Sequence, residues 1–198
     1  MKNNNWKLLV NPFTRIAGWN AFLFGAIIVC ITVVLGHLND IYYPNVLDMK
    51  IFTDRTLGFA FIVQCTGLAS LVIIMYLASL IYARNVRFQD ILGTTTLARF
   101  PYLFLSLIGF FIKIENTDNL IPSLLDNTFR ASDYTGLLVI TLISVLFIIW
   151  YIALLYNAFS VSTNIKGAKG IIIFIGVIII AEIFSIILSY FIIKNLVL

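Results

Sequence analysis

Five apolar runs, parted by short polar stretches, set the pattern of this chain: residues 19–38, 57–83, 97–114, 134–159 and 170–193. A helix needs about 20 apolar residues to cross the hydrocarbon of a bilayer. The third run is the shortest, and the second and fourth are long enough to tilt or project beyond the lipid. Lipid offers backbone amides and carbonyls no partners, so continuous apolar runs must be helices. A membrane barrel would instead alternate apolar and polar positions along an even number of strands. The pattern therefore predicts an all-α, polytopic integral membrane protein with five transmembrane helices. Residues 19–198 form its transmembrane domain, and residues 1–18 form a cytoplasmic or interfacial N-terminal segment.

Composition agrees. Of 198 residues, 61% are hydrophobic and 11% are charged, against about 45–50% and 25% in soluble domains. A chain this short cannot bury such an excess in an aqueous core. An ordinary soluble enzyme, a disordered chain and a nucleic-acid binder are excluded. The net charge of +4 reflects Lys and Arg at the membrane edges. Basic residues in short loops set orientation. The N-terminus, the second connection taken to the start of the third run, and the fourth connection hold Lys2, Lys7, Arg15, Arg84, Arg87, Arg99, Lys166 and Lys169, with one acid, Asp90. The opposite side holds five basic residues. This predicts the N-terminus inside and the C-terminus outside. Before the first run, Trp6, Leu8, Leu9, Val10 and Phe13 alternate with basic residues. They form either an amphipathic interfacial stretch or an anchored irregular tail. No cleavable signal is expected.

Few residues offer chemistry. Glu182 is the one charge deep within a run. An acid at that depth costs at least ~2.5 kcal/mol on insertion scales, so it should face protein or water. It borders a small-residue face of Ala181, Ser185 and Ser189, suited to close helix contact. In one role Glu182 binds a cation or relays a proton. In the other it is protonated and hydrogen-bonded to a second span, with Gln64, at similar depth, as the natural partner. Cys30 and Cys65 lie in apolar runs and read as small buried hydrophobes. His37 ends the first run beside Asp40. No metal site, nucleophile–base pair or phosphate loop is present at motif spacing, so no catalytic residue, metal or cofactor is expected. The stretch from Arg84 to Pro101 is the most distinctive connection. Arg84, Arg87 and Arg99 are candidates for contact with anionic lipid or a partner, or are ordinary flanking charges. Arg99 is placed to snorkel to head groups. Asp90 can lead a helix, and Pro101 would kink the third span if that helix begins as early as Ile91.

The segment Phe88-Gln-Asp90-Ile-Leu-Gly-Thr-Thr-Thr-Leu-Ala-Arg99-Phe-Pro101-Tyr-Leu resembles the inner loop and third helix of the Yip domain family, Ypt/Rab-interacting five-helix membrane proteins with bacterial relatives. Trp150-Tyr-Ile-Ala-Leu-Leu-Tyr-Asn157-Ala-Phe resembles that family's fourth helix, followed by a short polar hinge over 160–169. Asn11-Pro12-Phe13 resembles the start of bacterial members. The resemblance implies a non-enzymatic role as scaffold or accessory subunit in trafficking or transport systems, in a bacterial inner membrane. The family's Asp-Leu-Tyr-Gly-Pro motif and long cytosolic N-terminal region are missing, so GTPase binding is not expected. The expected partners are the bilayer and another membrane protein or a second copy. The alternative is a small transporter or channel using Glu182.

Overall fold

A computed structural model describes residues 6–83, 85–112, 120–126 and 130–197. The described elements run α1 (Trp6–Val10), a 3-10 turn (Pro12–Thr14), α2 (Gly18–Leu38), β1 (Ile41–Tyr42), β2 (Lys50–Ile51), α3 (Leu57–Tyr82), α4 (Phe88–Ala98), α5 (Phe100–Gly109), α6 (Leu120–Leu125), a 3-10 turn (Ala131–Tyr134), α7 (Thr135–Thr163) and α8 (Gly167–Val197). Five helical stretches are long and apolar enough to cross a membrane: Gly18–Leu38, Leu57–Tyr82, Phe88–Gly109, Thr135–Thr163 and Gly167–Lys194. The end of the bundle where α2 and α4 begin, with Gly18 beside Asp90, is its N-terminal face, and the end where α8 closes is its C-terminal face.

The third span departs from expectation. It begins at Phe88, nine residues before position 97, and ends at Gly109. Its first half was hidden by polar residues that the helix itself satisfies. Thr94 donates to Asp90 O at 2.7 Å and Thr96 to Leu92 O at 2.6 Å. Such back-bonding lets threonine sit buried in an apolar setting. The span is broken between α4 and α5. Pro101, at the start of α5, has no N–H to offer, and Arg99 N bonds to Thr96 O in a tighter turn. The fourth span runs four residues past 159, and the fifth starts at Gly167 rather than 170. Only Asn164, Ile165 and Lys166 separate them. Asn164 takes a left-handed conformation (φ 58°), which Asn tolerates better than most residues.

The α4–α5 span is the most buried and sits centrally, touching α2, α3 and α7. Its crossing with α2 is made by glycine. A Cβ on Gly25 would lie 2.5 Å from Leu97 N, and one on Gly93 would strike the Gly18 carbonyl. Close backbone approach through small residues is a usual means of packing helices in lipid. α3 packs on α8. The outer faces of α2, α7 and α8 are broadly apolar and exposed, as in Leu142, Leu146 and Ile172, which is what contact with lipid tails requires. Cys30 of α2 and Cys65 of α3 are exposed free thiols, not buried as expected. Each points from the lipid side of its helix.

The N-terminal segment is anchored, as one of the two expectations had it. Phe13 is buried. The last carbonyls of a helix lack intrahelical partners, and α7 supplies two for α1. Trp150 Nε1 donates to Leu9 O at 2.9 Å, and Asn157 Nδ2 to Val10 O at 3.1 Å. These donors lie about 9 to 20 Å in from the Thr163 end of α7, at 1.5 Å per residue. Segment 6–14 is thus a strap laid along the fourth span.

Candidate functional site: an inserted loop held by intramembrane polar side chains

The connection between the first two spans, residues 39–56, holds Pro44 and several Asn and Asp residues, which suit turns at a surface. Its first half instead turns inward and descends between the helices. Ile41, Tyr42, Tyr43, Asn45 and Val46 are all at most 2% exposed. Two glycines make room. A Cβ on Gly36 would sit 2.5 Å from Ile41 O, and one on Gly67 would sit 2.6 Å from Asn45 O. Gly67 lies ten residues into α3, about 15 Å from its Leu57 end. The loop tip therefore reaches membrane depth. Non-helical backbone is tolerated there only where protein satisfies it.

Four successive carbonyls are each met by a side chain. Gln64 of α3, with its amide nitrogen turned toward the loop, donates to Tyr43 O at 3.3 Å. Ser189 of α8 lies 3.0 Å from Pro44 O and 2.8 Å from Asn45 Oδ1, so its single hydroxyl proton is shared between them. Arg99, at the α4–α5 break, donates from Nη2 to Asn45 O at 3.3 Å. Tyr102 of α5 donates its hydroxyl to Val46 O at 3.1 Å. The next two amides are met by one carboxylate oxygen: Val46 N and Leu47 N donate to Glu182 Oε2 at 3.1 and 3.0 Å. Asn45 Nδ2 in turn donates to Asp48 at 3.0 Å. All described spans but the fourth and the first contribute a capping side chain. The first is tied in through Ser106, which donates to Thr32 O at 3.5 Å and shares a 2.9 Å bond with the Tyr43 hydroxyl.

Arg99 is 1% exposed, so it does not snorkel to the N-terminal face. The break at Pro101 turns it inward. Its Nη1 donates to the Gln64 oxygen at 3.0 Å, and its guanidinium lies 6.0 Å from the centre of the Tyr102 ring. Tyr102 stacks on Tyr43 with centroids 4.4 Å apart. The Tyr151 hydroxyl of α7 lies beside the guanidinium, though neither it nor Arg99 Nε makes a well-formed hydrogen bond among the described residues. Arg99 and Glu182 grip neighbouring peptide units of the same loop. They are not in direct contact: among the described residues the one ion pair within 4.0 Å is Lys50–Asp48, at 3.4 Å. At the mouth of the loop, His37 Nδ1 and the Tyr42 hydroxyl are 3.2 Å apart. Burial, reinforced by the Asp40 carboxylate and opposed by Arg55, pushes the Tyr42 phenol above its ordinary range, so it stays protonated at neutral pH.

The other expected residues are placed as follows. Glu182 and Gln64 belong to one site but bond to opposite parts of the loop, not to each other. Each finds a closer partner in the inserted backbone, which competes successfully because its groups have no water. Ser185 and the Ala181, Ser185, Ser189 face are at most 3% exposed. That face packs inside the molecule and is not open to another protein; Ser185 donates to Glu182 O at 2.8 Å. Arg87 is exposed at the N-terminal face. Asp90 leads α4, where a carboxylate favours the helix dipole, and lies against Gly18. Arg84 lies outside the described residues. Tyr43, Asn45 and Tyr102 were not anticipated. The available signal was three polar side chains within spans, each in need of a partner. No group of three or more His, Cys, Asp or Glu able to hold a metal occurs among the described residues.

No curated protein and no solved structure matches this chain. The family model of the Yip1 domain matches residues 6–189, nearly the whole length, including the strap, the inserted loop, the first four spans and most of the fifth. This chain belongs to the Yip1 domain family of integral membrane proteins.

Proposed function

We propose that this protein is a non-enzymatic scaffold or accessory subunit, working through its lipid-facing helix surfaces and the basic loops of its N-terminal face. One observation carries this: the polar side chains inside the spans are engaged on the backbone of residues 43–47. Glu182 holds two amides, which favours a structural role for it. What is left free for a partner is outside. α7 is the least buried span, and Arg87, Lys166 and Lys169 are exposed at the N-terminal face. Orientation by basic residues is retained after Arg99 is moved into the bundle, at seven against five, and puts that face in the cytoplasm. The low charge and the resemblance favour a bacterial inner membrane.

The test is purification from native membranes in mild detergent, with the stoichiometry of what accompanies the chain. Wild type is compared with the double variant Arg87→Glu, Lys169→Glu. A stoichiometric membrane partner or second copy, weakened in the variant, is expected. A monomer without partner, together with ion or proton flux in liposomes that Glu182→Gln abolishes, would replace this reading with that of a small transporter. Glu182 is only partly buried, which is the observation favouring that second reading.

A further inference from the structure

The same connection that plugs the bundle also builds a second feature at its mouth. A cleft of about 600 Å³ opens between the 50–55 stretch and the last turns of α8. Its walls include Phe52, Tyr190 and Ile193, and its rim carries Lys50, Arg55 and Lys194. The cations come from separate elements. Lys194 closes the fifth span and Arg55 lies two residues before α3 begins, so both stand at the edge of the hydrocarbon. Lys50 is paired with Asp48. Arg55 and Lys194 have no carboxylate within ion-pair distance among the described residues, Asp54 included. The Arg55 guanidinium is held 5.5 Å over the Phe59 ring, and its Nε is buried without a hydrogen-bond partner.

We infer that this cleft binds an anionic phospholipid of the leaflet at the C-terminal face. The phosphate would lie between Arg55 and Lys194, and one acyl chain would lie against Tyr190 and Ile193. Three features select this occupant. The rim has excess positive charge. The wall is apolar and continues onto the lipid-facing side of α8. The cations sit at head-group height, where a soluble anion would gain nothing from the apolar half of the cleft. A basic side chain near an anionic membrane surface gives about fivefold in binding. Losing two should therefore give about a 25-fold loss.

The probe is phosphatidylglycerol, with phosphatidylcholine as the neutral control. The full chain is reconstituted in mixed nanodiscs and the lipid retained after delipidation is quantified by native mass spectrometry. Phosphatidylglycerol should be retained at least tenfold over phosphatidylcholine, and retention should weaken with salt. Lys194→Gln should lower it about fivefold and Arg55→Gln with Lys194→Gln about 25-fold. Arg87→Gln, at the other face, should leave it unchanged. Circular dichroism and the melting temperature check that the variants fold; Lys194→Gln alters only an exposed side chain, so it keeps the test alive if the double variant does not. Equal retention of both lipids, or undiminished retention in Lys194→Gln, would overturn the proposal. Displacement by millimolar inorganic phosphate would also overturn it, assigning the rim to a free anion.

Discussion

Glu182→Ala is the perturbation that bears most directly on the inserted loop. The carboxylate accepts from Val46 N and Leu47 N, and Val46 is fully buried. Removing it strands two amides at membrane depth. A buried donor left without a partner costs about 1–3 kcal/mol, so Glu182→Ala should cost about 4 kcal/mol. Glu182→Gln keeps an acceptor oxygen of the same reach but removes any charge and puts an NH2 donor where the second oxygen was. Bonds to a charged group exceed neutral ones by about 1 kcal/mol each, so this variant should cost about 2 kcal/mol. At roughly 2–4 °C per kcal/mol for a chain of this size, melting in mild detergent should fall by about 4–8 °C for Gln and about 8–16 °C for Ala. Hydrogen exchange localises the effect. Protection of the peptide spanning 43–48 should be kept in wild type, reduced in Gln and largely lost in Ala, while the α2–α4 contact around Gly25 stays protected. If Glu182→Ala melts with wild type and leaves exchange over 43–48 unchanged, the carboxylate does not hold the loop and the proposed structural role is wrong.

Three further expectations follow from neighbouring geometry. Gly67→Ala places a methyl 2.6 Å from Asn45 O and should cost about 1–3 kcal/mol through overpacking, while Gly176→Ala, with nothing within 4 Å of its added Cβ, should leave the melting temperature unchanged or slightly raised; equal effects would deny that the loop presses on α3. Arg99→Lys cannot reach both the Gln64 oxygen and Asn45 O, since an ammonium lacks the forked donors of a guanidinium, and should lower the melting temperature by several degrees with loss of exchange protection over 43–48; a silent substitution would count against Arg99 as a bridge. Trp150→Phe with Asn157→Leu removes both donors to α1 and should expose residues 6–14 to proteolysis without changing the melting of the bundle, whereas undiminished protection would show that Phe13 alone holds the strap.

The five spans were legible because a continuous apolar run has one structural outcome in lipid. The beginning of the third was not, because Gln89, Asp90 and three successive threonines lower its hydropathy, and the pattern of residue types does not record that a threonine hydroxyl bonds to its own helix. The same misplacement moved Arg99. With a span starting at 97, an arginine at 99 belongs at the membrane edge; with one starting at Phe88, it lies eleven residues, about 16 Å, inside. The N-terminal segment stayed open between an interfacial stretch and an anchored tail for a related reason. The bonds from Trp150 and Asn157 to Leu9 O and Val10 O depend on how two distant segments lie together.

The inserted loop was inferable in principle, but only from a balance that single runs do not show. Gln64, Arg99 and Glu182 lie in three different spans, and hydrocarbon leaves none of them unpartnered. Pairing them with one another satisfies few of their groups. Gln64 alone has two donors and an acceptor, Arg99 has five donors, and Glu182 accepts only. The surplus is complementary to a stretch of peptide, which carries carbonyls for the donors and amides for the acid. Tyr43 to Leu47 supplies that mixture, and Gly36 and Gly67 open the space for it. Where intramembrane polar groups in a five-span chain do not balance among themselves, a connection between spans is the nearest source of the missing partners. Here the connection that satisfies them also carries Lys50 and Arg55 to the membrane edge, so the lock in the interior and the charged cleft at the surface are two ends of one segment.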